Sequence, residues 1–155
     1  MSAAPSSQVR IVAVTAPDGT IVEPAWLAAS ESVHRELRPQ IPAGYDAKMR
    51  AIFEGGGRMA VAVSGERVVG LTVYRIYEDT FNGRKFYCDD LVTTEKERST
   101  GVGHALMQYM ENEARAAHCT AFALDSGVQR KDAHKFYYRE GMFIVSFNFK
   151  KDLTR

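Results

Sequence analysis

One short segment, Arg98-Ser99-Thr100-Gly101-Val102-Gly103, constrains this chain most. It lies between a strand-like apolar run at residues 86–93 and an amphipathic, helix-like run at 102–117. A strand, a glycine-bearing turn and a helix start form an anion cradle, because unpaired amides and the helix dipole both favour negative charge there. Glycine removes the Cβ that would hold a phosphate away from the backbone, and Arg98 adds a charge-assisted contact. A P-loop requires Gly-Lys-Ser/Thr, and here Gly103 is followed by His104-Ala105. A dinucleotide fingerprint requires a third glycine in the first βα turn of a parallel sheet, whereas this loop follows an antiparallel meander.

The meander is read from turns and alternation. Residues 9–14 form a β-type run, and residues 24–37 carry apolar positions at helical spacing behind Pro24. Residues 46–53 fit a short helix ended by Gly55-Gly56-Gly57. Runs at 58–63 and 67–76 flank Ser64-Gly65-Glu66, and Asn82-Gly83 turns the chain into the run at 84–93. After the loop come a helix to about residue 117, a strand at 120–124, a helix at 131–140 ended by Gly141, and a final strand at 143–150. The expected fold is α+β: a twisted, largely antiparallel mixed sheet of six to seven strands with helices on both faces.

With 155 residues, 45% of them hydrophobic, the expectation is one domain over residues 9–155 behind a disordered tail at 1–8. Lys and Arg number 20 against 19 acidic residues, which provides no broad basic field for nucleic acid. No apolar run is long enough for a membrane-spanning helix. Cys88 and Cys119 are too few for a disulfide framework or a zinc site, so no metal is expected and a cytoplasmic setting fits.

Arg98-x-x-Gly101-x-Gly103, preceded by Asp89-Asp90-Leu91-Val92-Thr93, resembles the acetyl-CoA motif of the GCN5-related N-acetyltransferases. Downstream, Ala133-x-x-Phe136-Tyr137-x-x-x-Gly141-Met142 resembles that family's second signature. The resemblance implies an N-acetyltransferase that binds acetyl-CoA between two splayed parallel central strands, residues 84–93 and 120–124. It implies that backbone groups of Leu91, Val92 and Thr93 meet the pantetheine arm. The pyrophosphate then falls to Arg98 and the amides of Ser99, Thr100, Gly101, Val102, Gly103 and His104, with Arg130 and His134 as further cofactor contacts. The family usually has Pro two residues past the strand end, where this chain has Glu95.

Acetyl transfer needs a deprotonated amine, a polarised thioester and a stabilised leaving thiolate. By the resemblance Tyr137 is the general acid; a phenol keeps its proton at neutral pH. A lysine-like amine is free base in only about one part in several thousand at pH 7, a deficit of roughly 4 to 5 kcal/mol. Strand alternation sets Asp89 and Asp90 on opposite faces, Asp89 with Tyr87 and Leu91. Asp89 is the candidate base, acting through water or as a charge that binds the acceptor, and Asp90 its structural partner beside the acceptor.

The acceptor is expected to be a small-molecule primary amine in a pocket lined by Tyr45, Tyr77, Tyr87 and the acidic pair. Glu78 and Asp79 beside aromatic residues suit a cationic acceptor. Residues 126–141 and the tail at 147–153 are similar to the C-terminal third of aminoalkylphosphonate N-acetyltransferases, which adds a second acceptor class. A protein or peptide acetyltransferase and a non-catalytic acetyl-CoA sensor are the competing readings. A homodimer through edge strands or helices is ordinary for such a fold.

Overall fold

The computed structural model describes residues 8–154; the expected tail at 1–8 lies, Gln8 apart, outside the described residues. The chain divides into two compact units, one running through Ala123 and one beginning at Leu124.

The first unit is built on a sheet in the order β1-β2-β3-β4-β5. Its strands are β1 (Arg10–Ala13), β2 (Arg58–Ser64), β3 (Arg67–Asp79), β4 (Gly83–Thr93) and β5 (Ala121–Leu124). The pairs β1-β2, β2-β3 and β3-β4 are antiparallel, and β4-β5 is parallel. Helices α1 (Pro24–Ala29), α2 (Glu31–Leu37) and α3 (Tyr45–Glu54) contribute Leu27, Val33, Tyr45, Met49 and Phe53 to a core with Met59, Val61, Leu71, Val73 and Val92. Helix α4 (Val102–Ala116) packs Val102 and Leu106 on the other face, against Ala62 and Val69.

The single helix expected over 24–37 is broken at Ser30. Its hydroxyl donates to the Leu27 carbonyl at 2.7 Å and its N–H bonds the same carbonyl at 3.2 Å, which tightens the chain and turns α2 away from α1. Gly70 sets how closely α4 approaches the sheet. A Cβ there would stand 2.9 Å from Val102 Cγ1 and 2.9 Å from the Val92 carbonyl oxygen. The carbonyl cannot move aside, so Gly70→Ala is expected to destabilise the protein by about 1 to 3 kcal/mol. A urea midpoint equal to that of the wild type would show that α4 can shift outward without cost.

The second unit holds α5 (Lys131–Arg139), which buries none of its residues. The expected strand at 143–150 is absent: these residues carry no regular structure, so the described sheet has five strands rather than six or seven. Alternation supplies a strand's side-chain pattern, but a strand also needs a neighbouring backbone to pair with. No backbone–backbone hydrogen bond engages 143–150 among the described residues.

Candidate active site

β3 and β4 pair in register from Asp79↔Gly83 to Tyr74↔Cys88, then slip to Val73↔Asp90. Asp89 is therefore the extra residue of a β-bulge. Simple alternation fails here, because the bulge shifts the rest of β4 by one position. Cys88 reaches the α4 side, 3.6 Å from Thr72 Oγ1, which itself bonds Met110 Sδ. Asp90, two residues on, reaches the opposite side and meets α2. Asp89 pairs with Arg75, whose β4 partner Tyr87 lies on that same side, so both acids share the α2 face rather than dividing between faces. Leu91 falls on the α4 face, away from Asp89.

Both carboxylates are engaged. Arg75 Nε donates to Asp89 Oδ2 at 2.8 Å. Asp90 accepts from His34 Nε2 at 2.8 Å and from Arg38 Nε at 2.7 Å, while Arg38 also donates to the Asp89 carbonyl at 3.1 Å. Burial acts to raise the Asp90 pKa, but the hydrogen bonds and charges of His34 and Arg38 outweigh it and hold the carboxyl below its ordinary value.

Donor counting orders the rest of this chain of contacts. Ser30 spends its hydrogen on the Leu27 carbonyl, so it accepts from Tyr45 Oη at 3.0 Å. Tyr45 in turn accepts from His34 Nδ1 at 2.9 Å. The other ring nitrogen of His34, Nε2, faces the Asp90 carboxylate. Burial pushes the Tyr45 phenol up to about 12, which keeps it a donor. Tyr45 thus braces the acidic pair from beneath, and is itself 5% exposed. Tyr77 and Tyr87 stand nearer solvent, with Lys85 Nζ 5.8 and 5.3 Å from their ring centroids. His34, Arg38, Arg75 and Lys85 carry no signal in the sequence; nothing local marks them, because their partners lie on other elements or across the sheet.

β4 outruns its parallel neighbour. Thr120 N–H donates to the Arg84 carbonyl at 2.8 Å, and Phe122 meets Phe86 edge-on at 5.0 Å between ring centroids. Continued in parallel, that register brings β5 level with Cys88 at its end. Asp89, Asp90, Leu91, Val92 and Thr93 run on beyond it, and the bulge falls at the point of parting.

The loop after β4 is pinned by α2. Thr94 Oγ1 and the Glu95 N–H donate to Glu36, at 2.8 and 3.0 Å. This accounts for the departure at Glu95, since a proline has no N–H to give. Ser99 (φ 66°) and Gly101 (φ 92°) are left-handed, an arrangement that makes successive amides converge. Gly101 caps α4 without any side-chain hydrogen bond, and a Cβ on it would meet no atom within 4 Å. The backbone at this cap is therefore open on the side where a Gly101 side chain would stand. Arg98, Ser99, Thr100 and His104 are exposed, Gly103 is half-buried and Val102 is buried in the core.

In the second unit Tyr137 lies half-buried on α5, its ring 5.6 Å from that of Phe136. His134 Nε2 is 2.8 Å from the Gly127 carbonyl, a tie between α5 and the loop before it, and Arg130 is exposed at the helix start. Ser126 Oγ is buried without a hydrogen-bond partner among the described residues, a polar atom that no sequence pattern marks. Cys88 is buried, Cys119 is half-buried and both are free thiols. No cluster of metal-ligating side chains occurs among the described residues, and no helix there is long and apolar enough to cross a membrane.

Known proteins resemble this chain in sequence and in fold. The chain is 44% identical over 70 residues to the uncharacterized N-acetyltransferase YhdJ of Bacillus subtilis, a match covering 44% of this chain and 49% of that protein. It is 38% identical over 64 residues to the aminoalkylphosphonate N-acetyltransferase of Salmonella typhimurium, covering 41% and 42%. The chain thus spans about half the length of the curated relatives it matches, or less. Its fold is similar to that of the aminoglycoside N-acetyltransferase AAC(6')-Iy solved with CoA, at a TM-score of 0.81 and 15% identity over 99% of this chain and 100% of that one. An acetyltransferase of Trypanosoma brucei gives a TM-score of 0.75 at 18% identity, over 94% and 100%. The acetyltransferase (GNAT) family profile matches residues 25–142, more than half of the chain, and the protein belongs to that family.

Proposed function

We propose that this protein transfers an acetyl group from acetyl-CoA directly to the primary amine of a small molecule bound in the same complex. The observation that carries the reading is the end of β4. There a bulge, a strand running past its neighbour and an uncapped, left-handed turn at Ser99 and Gly101 follow one another within a dozen or so residues. Backbone groups of Leu91, Val92 and Thr93 pair with the pantetheine arm. The amides from Ser99 to His104, with Arg98, hold the pyrophosphate; Arg130 and His134 complete the cofactor contacts.

In the reaction the acceptor nitrogen attacks the thioester carbonyl carbon and the C–S bond breaks. Asp89 holds the incoming ammonium and takes its proton through water; its Oδ2 is committed to Arg75, which leaves Oδ1 for this task. Tyr137 gives its phenolic hydrogen to the departing sulfur. Tyr77 and Tyr87 line the acceptor side, with Tyr45 and Asp90 fixing the acidic pair from below. Arg75, Arg38 and Lys85 share that face with the two carboxylates. This balance suits an acceptor that carries an anionic group besides its amine, as the name of the Salmonella relative also suggests.

Thiol release from acetyl-CoA, measured over polyamines, aminoglycosides, aminoalkylphosphonates and a peptide, tests the reading. Turnover is expected with a small amine bearing an anion and not with the peptide. Gly101→Val forces a β-branched residue into a left-handed cap, and is expected to raise the KM for acetyl-CoA about tenfold, equivalent to about 1.4 kcal/mol. Tight acetyl-CoA binding with no turnover on any amine would make the protein a sensor instead.

A further inference from the structure

Residues 94–101 join β4 to α4. Glu95–Glu97 form one 3₁₀ turn, with the Glu97 N–H on the Thr94 carbonyl at 2.9 Å. The chain then extends at Arg98 (φ −63°, ψ 144°) and becomes left-handed at Ser99 and Gly101. Thr100 Oγ1 donates to the Glu97 carbonyl at 2.5 Å, so the position of the 3₁₀ turn carries directly into the glycine-bearing loop. From β3 the turn receives two contacts. The Thr94 N–H donates to the Val69 carbonyl at 2.9 Å, and Arg67 pairs with Glu97 at 3.3 Å. That ion pair joins side chains 64 and 28% exposed, so it holds the turn weakly.

The stronger hold comes from Glu36 on α2. Its carboxylate accepts from Thr94 Oγ1 and from the Glu95 N–H at 2.8 and 3.0 Å, so one side chain grips both the residue before the turn and the residue that starts it. Its own support is firm. His34 and Arg38, two residues to either side of Glu36, hold Asp90 at 2.8 and 2.7 Å and fix this helix to β4.

We propose that Glu36 is a positioning residue for the donor: it holds the 3₁₀ turn so that the amides of residues 99–103 are ordered for the pyrophosphate, without itself touching CoA. This rests on the reading that the loop binds CoA. Two effects of opposite sign act through the carboxylate. Its charge repels an anion bound nearby, whereas its hydrogen bonds order the loop in advance and reduce the entropy lost on binding. Glu36 is exposed, so water and salt screen the repulsion and the ordering effect prevails.

Proline is the physical substitute for this carboxylate. Thr94 has φ −55° and ψ 142°, the extended backbone that a residue before proline adopts, and a 3₁₀ turn takes a φ close to the one a proline ring fixes. Glu95→Pro therefore removes the N–H that Glu36 binds and sets the same turn by covalent geometry.

Calorimetric titration of CoA into the full chain, beside steady-state kinetics and urea unfolding, tests the assignment. Glu36→Ala is expected to raise the Kd for CoA and the KM for acetyl-CoA about tenfold, with kcat at saturating acetyl-CoA and the urea midpoint nearly unchanged. Glu36→Gln keeps both contacts, because its amide oxygen accepts from the Glu95 N–H and the Thr94 hydroxyl accepts from its amide nitrogen; its Kd should stay within about threefold of the wild type. Adding Glu95→Pro to Glu36→Ala should restore most of the lost affinity. Equal CoA affinity in the wild type and Glu36→Ala overturns the inference and leaves the donor reading intact. Tighter binding by the Ala and Gln variants also overturns it, since repulsion by the charge would then dominate. So does a joint fall in kcat and urea midpoint that Glu95→Pro does not reverse, which would make Glu36 a general support of the fold. A wild type that fails to bind CoA overturns the donor reading itself, and this inference with it.

Discussion

If Tyr137 is the general acid proposed above, Tyr137→Phe is expected to lower kcat about 100-fold and to leave the KM for acetyl-CoA nearly unchanged, because only a transition-state interaction would be removed. The substitution deletes one oxygen and keeps the ring against Phe136, and a urea midpoint measured beside the wild type separates any loss of folding from a loss of chemistry. The loss should be largest with an acceptor whose attack is fast, since departure of the thiolate then limits turnover. It should shrink with a CoA analogue bearing a more acidic thiol, which needs less help to leave. Steady-state kinetics on both donors measures this. Full kcat in the variant would remove Tyr137 from the chemistry and turn attention to other donors, among them the unpartnered hydroxyl of Ser126.

Asp90→Ala is expected to cost about 3 kcal/mol of stability at pH 7, within the range for breaking a buried ion pair by removal of one partner. His34, with 2% of its side chain exposed, loses the carboxylate opposite Nε2, and Arg38 loses its Nε acceptor. The pH dependence has a defined sign. The Asp90 carboxyl sits below its ordinary value in the folded protein. Its contribution is therefore fully present above the unfolded carboxylate pKa of about 4, and it is lost as pH falls through the lower folded value. Urea unfolding from neutral pH down to about pH 3 should show a wild-type acid decline that is shallower in the variant. Equal stability of the two proteins at pH 7 would mean that His34 and Arg38 find other partners, and that α2 is not held to β4 by this acid.

Several features follow from local chemistry and can be read in the chain. Asn82-Gly83 places the β3-β4 turn, with Gly83 at φ 74°. The apolar spacing of 102–117 predicts α4 to within a residue of its observed ends. The glycine-bearing loop before α4 is equally local, because left-handed backbone at Gly101 and a helix start immediately after it are properties of a few adjacent residues. The acidic pair is different. Alternation assigns Asp89 and Asp90 to opposite faces, and only the pairing with β3 reveals the extra residue that brings them together. His34 has no neighbour in sequence that explains it, since its partners are Tyr45 and Asp90.

The sequence by itself determined the glycine-bearing loop of the family resemblance, the order of strands and helices through α5 apart from the break at Ser30, and the presence of two acids at the end of the central strand. These rest on turn residues and periodicity, which act over a few positions. Tertiary structure alone decided which face the acids occupy, that arginines and a histidine hold them, and that residues 143–150 have a strand's pattern without a strand's partner among the described residues. Those outcomes depend on which backbone lies alongside. Hydrogen-bond registry between distant segments is a property of the assembled sheet, and no periodicity within one segment encodes it.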